Sequence, residues 1–574
     1  MSKWRRWIAI AVAVYLLLVL VDRFVLVELF LRRAGVALAA GAFESLALIG
    51  CGFAVRGLVA RRWEWSELDL ARDLLVGYPI FGALCFLVGL LNVSGAVMLA
   101  LLVVAGVWGI YAVVRRFEAR PAKFAAAPWP IVVVAVVGFV MAQAPPSSLD
   151  ELAYHLAVPW TWVKEGRAIA LPLLSHSYFP LGIESADLPL LALLGALGGG
   201  IASHFLHLGA AIATAFVAWR LTERNAVATM AILATPALMI AAGWSLVDWP
   251  LAGLALIAFE ATDDDATLGA AAGAGLLTKY TFIPIAILLL ARRRRAILPA
   301  LAIGCVFFVR NAILSGNPLA PFFTSLAPHV AHYRGAANLA DYVFDGKFID
   351  ESLGASLLAL LPLTSGLVPI VLAVAAVALF FLAPSARILL PYLAVAAVGA
   401  AKNLGQSRAL RVLLVATVAV QLFLVVFLVD RGGVFALLGA TQSDEEYLVK
   451  ARASYATIES IDALAPPGAL ILVVGLNETY WFEHRVRGGG NFDGPRVSAY
   501  LEQPTPDALY AKLRRDGITH VAVVSLPAPT TVVKKVEERE TALSPAAQRM
   551  LAQTLDHYAA SVTSRGAATL FTLR

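Results

Sequence analysis

The chain is dominated by apolar stretches about 20 residues long, the length of helix needed to cross a bilayer. Trp7 to Val21, Val36 to Val55, Leu74 to Leu91, Ala96 to Val114 and Pro130 to Ala144 come first, and Ile201 to Trp219, Ala226 to Ala242, Leu298 to Leu314 and Val412 to Val429 follow, with shorter apolar segments between them. In hydrocarbon the backbone must satisfy its own hydrogen bonds, so such runs predict helices. Roughly 13 to 15 spans are expected, several shorter than a full crossing. With 60% hydrophobic and 15% charged residues over 574 positions, the composition lies outside the range of an ordinary soluble domain. The fold expected is a mostly α polytopic membrane protein. Its net charge of +6 is modest and sits in short clusters at span ends, which reports topology and argues against nucleic acid as a partner. Cys51, Cys85 and Cys305 fall inside apolar runs without CxxC or Cys/His spacing, which argues against both a disulfide framework and a zinc site.

The basic connectors Arg61-Arg62, Arg115-Arg116, Arg220 to Arg224, Arg292 to Arg295 and Lys402 to Arg411 belong in the cytoplasm by the positive-inside bias. Met1 to Arg6 followed by an apolar run looks like the start of a secretory signal, yet no small-residue cleavage site follows. An uncleaved first helix is expected. This parity puts two polar loops, residues 145–200 and 315–352, on the outer face, which in a bacterium is the periplasmic side of the inner membrane. From Asp444 the hydrophobicity falls. Strand-like Ala469 to Gly475, Thr519 to Val524 and Ala568 to Leu573 alternate with helical Pro506 to Arg515 and Pro545 to Ser561, as in a small α/β unit. The organisation expected is an N-terminal four-helix membrane extension (1–127), a transmembrane core (128–431) and a periplasmic α/β domain (444–574). Gly488-Gly-Gly490 lacks the strand-turn-helix context of a nucleotide loop and reads as a plain loop.

Candidate chemistry begins at Asp150-Glu151, two carboxylates just after the Pro130 to Ala144 run. Carboxylates are costly at membrane depth, so a pair at the water boundary is a functional candidate. The alternative is that both cap an amphipathic helix from Leu152 to Glu165. Tyr154 and His155 lie one turn on. Lys279 stands between apolar runs, where a cation needs a partner, a water-filled cavity or an interface to snorkel to. Arg387 suits a bidentate anion such as phosphate, or simply flanks a span. Arg310-Asn311 either binds an anion or ends a helix before Gly316-Asn317-Pro318. Asp248, between Trp244 and Trp249, positions a substrate or caps a helix. His176 and Glu184 belong to the same outer segment as Asp150. Asp263-Asp-Asp265 faces the cytoplasm and reads as a solvated turn, and no metal is expected to be bound.

The run Asp150-Glu-Leu-Ala-Tyr-His155 after a span, then Tyr178-Phe-Pro-Leu-Gly-Ile-Glu184, Gly275-Leu-Leu-Thr-Lys-Tyr280, Arg310-Asn311 with Ser315 to Pro321, and Arg387-Ile-Leu-Leu-Pro391 occur in the order seen in GT-C glycosyltransferases. The chain resembles their bacterial branch, related to protein O-mannosyltransferases and the lipid A aminoarabinose transferase, from about Val132 to the end. The four spans before Pro130 and Ile388, in place of the family's tyrosine, depart from that pattern. The resemblance implies inverting transfer of a sugar from a polyprenyl-phosphate donor, itself a membrane lipid, to a glycan, lipid or protein acceptor on the outer face. It implies Asp150 as general base with Glu151 beside it as a second catalytic carboxylate. Lys279 and Arg387 would face the lipid phosphate, and Tyr154, His155, His176, Glu184, Asp248 and Arg310 would line the substrate cavity. No cofactor is expected, a divalent metal being the less favoured option. The competing expectation is a transporter or lipid flippase built on broken helices, disfavoured by charges gathered at one face and by the absence of two-half symmetry.

Overall fold

A computed structural model describes residues 24–59, 66–119, 128–323, 353–382, 386–404, 408–439, 441–489, 493–524 and 542–574. The expected first span, Arg61-Arg62, Gly490 and most of the 315–352 loop lie outside the described residues. The chain is mostly α-helical, with a five-stranded sheet near its C-terminus.

Among the described residues five helices are long and apolar enough to cross a membrane: Arg33–Leu58, Asp69–Gly89, Gly95–Ala119, Leu188–Leu221 and Arg408–Arg431. Arg294–Gly304 and Val306–Ser315, bent by 57°, form a sixth if they act as one span. Trp129–Ala142, Tyr280–Leu290, Leu367–Leu379 and Arg387–Ala401 are apolar but shorter. The described part therefore holds fewer full-length spans than the roughly 13 to 15 expected, because proline and glycine cut several apolar runs. Ala226 to Ala242 is two short helices, Ala226–Leu233 and Pro236–Ala241, interrupted where Pro236 lacks an N–H. Leu188–Leu221 is kinked at Gly195, whose φ of 71° suits a residue without Cβ.

The helices pack backbone to backbone. A Cβ on Gly82 would sit 1.6 Å from the Gly182 carbonyl oxygen, so only glycine lets the Asp69–Gly89 helix lie against the Gly182–Ala186 turn that carries Glu184. At the end of the bundle remote from Asp150, Arg56 pairs with Asp69 (2.8 Å) and Asp73 (2.5 Å), Arg72 pairs with Glu260, and Arg220 and Arg224 both reach Glu67. Asp264 caps the helix that follows it, and Asp265 pairs with Arg293 at 2.9 Å.

The C-terminal strands are β1 (Leu470–Val474), β2 (Arg485–Gly488), β3 (His520–Val524), β4 (Ala559–Arg565) and β5 (Ala568–Leu573), in the order β2-β1-β3-β5-β4. β1 is parallel to β2 and β3, while β5 runs antiparallel to β3 and β4. β1 is buried along its whole length, as expected for a central strand covered on both faces. Leu470, Leu472 and Val474 pack on the helices Gly494–Leu501, Pro506–Arg515 and Pro545–Tyr558, and Ile471 and Val473 pack with Ile458 and Ile461 of Tyr455–Leu464. Two strands were not legible in the sequence. β2 is short and largely polar, and β4, read as the end of the last helix, is an exposed edge strand.

The domain is fastened to the membrane part close to Asp150. The backbone N–H groups of Thr479 and Tyr480 both donate to the Leu152 carbonyl, at 3.0 and 3.2 Å. Lys164 Nζ donates to the carbonyls of Phe482 (2.8 Å) and His484 (2.9 Å), and Arg487 pairs with Glu165 at 2.9 Å. Ser175 N–H donates to Asp493 at 2.8 Å. Burial pushes the Asp493 carboxyl up to about 7, although the Ser175 bond and the Arg496 charge pull the other way. A carboxyl raised above its unfolded value of about 3.9 stabilises the fold fully below that value, and the contribution is lost as pH rises through the folded value. Docking is therefore expected to loosen between about pH 4 and pH 7, by up to about 4 kcal/mol. Thermal unfolding across that range reads the effect. Asp493→Asn should flatten the profile, and an unchanged slope in that variant would assign the pH dependence elsewhere.

Candidate active site

Three segments far apart in sequence meet at Arg387, in the first turn of the helix Ala386–Ala401. Its Nη1 lies 2.6 Å from Asp150 Oδ2, and its Nε and Nη2 each lie 3.0 Å from Asp248 Oδ2. Asp248 is buried, at 1% exposure, whereas the Asp150 side chain keeps 30%. Asp150 is thus the carboxylate that solvent and substrate can reach. Its side chain makes no cap hydrogen bond to the following helix, whereas Glu151 accepts the N–H groups of Ser147 and Ser148 where that helix begins. The expected Leu152 to Glu165 helix is a π-helical turn, Glu151–His155, followed by an α-helix, Ala157–Glu165. A π-turn at this point is the kind of irregularity that concentrates at functional sites. Burial pushes the Asp150 carboxyl up, but Arg387, with Lys279 and His176 behind it, more than offsets this and holds it below its ordinary value.

Glu151 has a different place from the catalytic one expected of it. It is fully buried and accepts four hydrogen bonds: from the N–H groups of Ser147 (3.3 Å), Ser148 (3.0 Å) and Ser245 (2.6 Å), and from His204 Nε2 (2.8 Å). A carboxylate saturated in this way holds the loop and cannot meet an acceptor. Neither His204 nor its neighbour Ser203 was singled out from the sequence. The available signal was a polar face, Ser203, His204 and His207, on an otherwise apolar span. Glu44 was also missed: it is buried inside the Arg33–Leu58 helix, and neither of its oxygens is hydrogen-bonded.

Lys279 is the extended residue where the helix Asp265–Thr278 stops, with φ −160°. It is half-buried, and no carboxylate lies within ion-pair distance of it among the described residues. Its charge is felt at Asp150, His155, His176 and Glu184, so it lies beside the same cluster. His155 Nδ1 and Glu184 Oε1 are 2.8 Å apart, both buried. Burial raises the Glu184 carboxyl and lowers His155, so both groups are pushed toward their neutral forms. His176 is lowered to about 4, chiefly by burial, and stacks on Tyr154 with ring centroids 4.5 Å apart. These rings form an apolar wall beside Asp150.

Arg310 stands apart from that cluster. Its Nη2 donates to the Phe179 carbonyl at 3.1 Å, and its guanidinium lies over the rings of Phe307 (5.0 Å) and Phe86 (5.7 Å). It heads an apolar cavity of about 330 Å³ lined by Phe86, Leu90, Trp162, Ile169, Val306 and Ile313. Asp150, Tyr154, His155, His176, Glu184 and Asp248 therefore gather around Arg387 and Lys279, Glu151 turns to its own donors, and Arg310 sits at a neighbouring groove.

No family model and no curated protein matches the sequence. Among solved structures, the chain is similar to ArnT from Cupriavidus metallidurans bound to undecaprenyl phosphate, with a TM-score of 0.45 and 15% identity over 78% of this chain and 98% of that one. It is similar to the apo state of ArnT to the same degree, over 77% of this chain and 97% of that one. ArnT is a GT-C glycosyltransferase, the family whose motif order the sequence resembles. At this distance the likeness carries no weight for the chemistry, which rests on the side chains of the site.

Proposed function

We propose that the protein transfers a sugar from a polyprenyl-phosphate donor to an acceptor hydroxyl on the periplasmic face of a bacterial inner membrane, by inverting displacement with Asp150 as general base. The observation that carries this reading is the solvent-reachable carboxylate of Asp150 paired with Arg387, beside a second cation, Lys279, that has no carboxylate partner among the described residues. Displacement of a lipid phosphate needs a base within reach of the attacking hydroxyl. It also needs cationic donors where the leaving charge develops. At rest Arg387 is shared between Asp150 and Asp248, which makes Asp150 a weak base. An arriving phosphate offers the guanidinium a better bidentate partner, and Lys279 supplies a second positive contact. Drawing Arg387 toward the phosphate frees the Asp150 carboxylate to take the acceptor proton, so base strength rises only when donor is present. The groove headed by Arg310 suits isoprenoid units of the same lipid.

Lys279→Ala is expected to weaken polyprenyl-phosphate binding by about 1 to 3 kcal/mol, the value of a charge-assisted hydrogen bond, with little change in thermal stability because no ion pair is broken. Titrating polyprenyl phosphate against purified wild type and variant measures this. Equal affinities would place the phosphate elsewhere. Transfer of label from a polyprenyl-phosphate sugar pool to any membrane or soluble acceptor tests the reaction itself. Movement of the intact lipid across the bilayer without glycosyl transfer would replace the enzyme reading with that of a flippase.

A further inference from the structure

Behind the reacting pair lies a second, fully buried set of hydrogen bonds that no step of the reaction uses. Ser203, His204 and His207 donate from one face of the Leu188–Leu221 helix, and Ser245 adds its N–H and its hydroxyl. Ser203 Oγ donates to Asp187 Oδ1 at 2.7 Å, so at the Ser245 Oγ contact of 2.6 Å it must accept. His204 Nε2 lies 2.8 Å from Glu151 Oε1, and because a carboxylate only accepts, that nitrogen carries the proton. Nδ1 of His207, one turn on, lies 3.1 Å from the Leu246 carbonyl and so donates to it. Ser203, His204, Ser245, Asp187 and Glu151 are each at most 1% exposed.

These bonds tie together two short segments, each of which presents one carboxylate to Arg387. Glu151 is adjacent to Asp150, and Ser245 is three residues before Asp248. The Ser245 N–H to Glu151 bond of 2.6 Å sets the spacing of the segments, and the helix face holds both ends of it. We propose that His204, together with the Ser203–Asp187 pair, is a positioning element that keeps Asp150 and Asp248 at the separation Arg387 bridges. This inference rests on the proposed role of Asp150. Loss of the His204 donor leaves Glu151 one donor short in a dry site, where an unmet polar group is costly, and the segment carrying Asp150 shifts. Displacement of a reacting group by about 1 Å costs on the order of 100-fold in rate.

The test compares His204→Leu, which removes the donor, with His204→Gln, whose amide N–H can replace Nε2–H. In the purified full-length protein, His204→Leu is expected to lower kcat by about 10- to 100-fold, with KM for the donor lipid within a few-fold of wild type. The groups facing Asp150 are Arg387, Lys279, His176 and Asp248. As Asp150 drifts from Arg387, the acid limb of the kcat/KM profile, which reports the donor-free enzyme, should move to higher pH. His204→Gln should restore both. Amide hydrogen exchange over residues 147–152 and 244–248, read without any substrate, should speed up in His204→Leu and return to the wild-type rate in His204→Gln. An unshifted acid limb with equal losses in both variants, or exchange unchanged in His204→Leu, overturns the proposal. If the wild-type protein transfers no sugar, the functional reading fails, and the exchange comparison still decides the positioning role.

Discussion

Asp150→Asn is expected to reduce sugar transfer by about 10² to 10⁴, the range lost with a general base, while donor-lipid binding and thermal stability stay near wild type. Stability is spared because Arg387 keeps its Asp248 partner, and because the 30% exposed Asp150 side chain leaves an amide that water can satisfy. The pH dependence of the wild type carries the same information. Arg387 holds the Asp150 carboxyl below its ordinary value against the opposing effect of burial, so the base stays ionised, and activity persists, down through the usual carboxylate range. The pH dependence of kcat/KM at sub-saturating donor, over about pH 3 to 8 on the carboxylate scale, checks both points, because it reports the donor-free enzyme. A variant that keeps wild-type turnover would remove Asp150 from the mechanism.

Arg387→Ala is expected to destabilise the fold by about 3 to 5 kcal/mol, the cost of breaking a buried ion pair by removing one partner. From the sequence, Arg387 reads as a phosphate ligand or as the basic flank of a span. Its contacts say more: Asp248, 1% exposed, would be left as a buried charge without its cation, next to a second carboxylate. Thermal or denaturant unfolding in a fixed detergent measures the loss. Arg387→Met combined with Asp248→Leu should recover at least half of it, since replacing both charges with apolar groups of similar volume removes the desolvation penalty. Transfer activity should remain lost in the double variant, because Lys279 alone then meets the phosphate and its bidentate partner is gone. A single variant as stable as wild type would mean that the Asp150–Arg387–Asp248 bridge contributes nothing to folding.

The candidate site was legible in residue type more than in role. Asp150, Arg387 and Asp248 each stood out because a charge beside apolar sequence is expensive and invites an explanation. What sequence distance concealed is that one arginine serves both carboxylates. Glu151 was misread for a related reason. Two adjacent carboxylates look equivalent on paper, yet at the start of the π-turn Asp150 stays partly exposed beside Arg387 while Glu151 turns into four buried donors. His204 and Ser203 were hidden inside a span, where two polar residues among many apolar ones change the hydropathy little.

The sequence by itself determined the class and the spans. Apolar runs of bilayer length leave the backbone no choice but helix, and Val36 to Val55, Leu74 to Leu91, Ala96 to Val114 and Val412 to Val429 each lie almost wholly within a single helix. It also determined β1, β3 and β5: β1 is a continuous apolar run buried throughout, and β3 and β5 are mostly apolar and largely buried. Tertiary structure decided where charge goes. β2 and β4 exist because a neighbour offers its free edge, not because their residues favour strand. The break at Thr235–Pro236, the kink at Gly195 and the extended Lys279 place polar side chains by geometry that local propensity does not encode. The Leu152 carbonyl is held by Thr479 and Tyr480, more than 300 residues away, a contact that no local pattern announces. A pair of carboxylates costs too much free energy at a membrane boundary to go unnoticed in sequence, but which of them is free to react depends on partners that only folding brings within 3 Å.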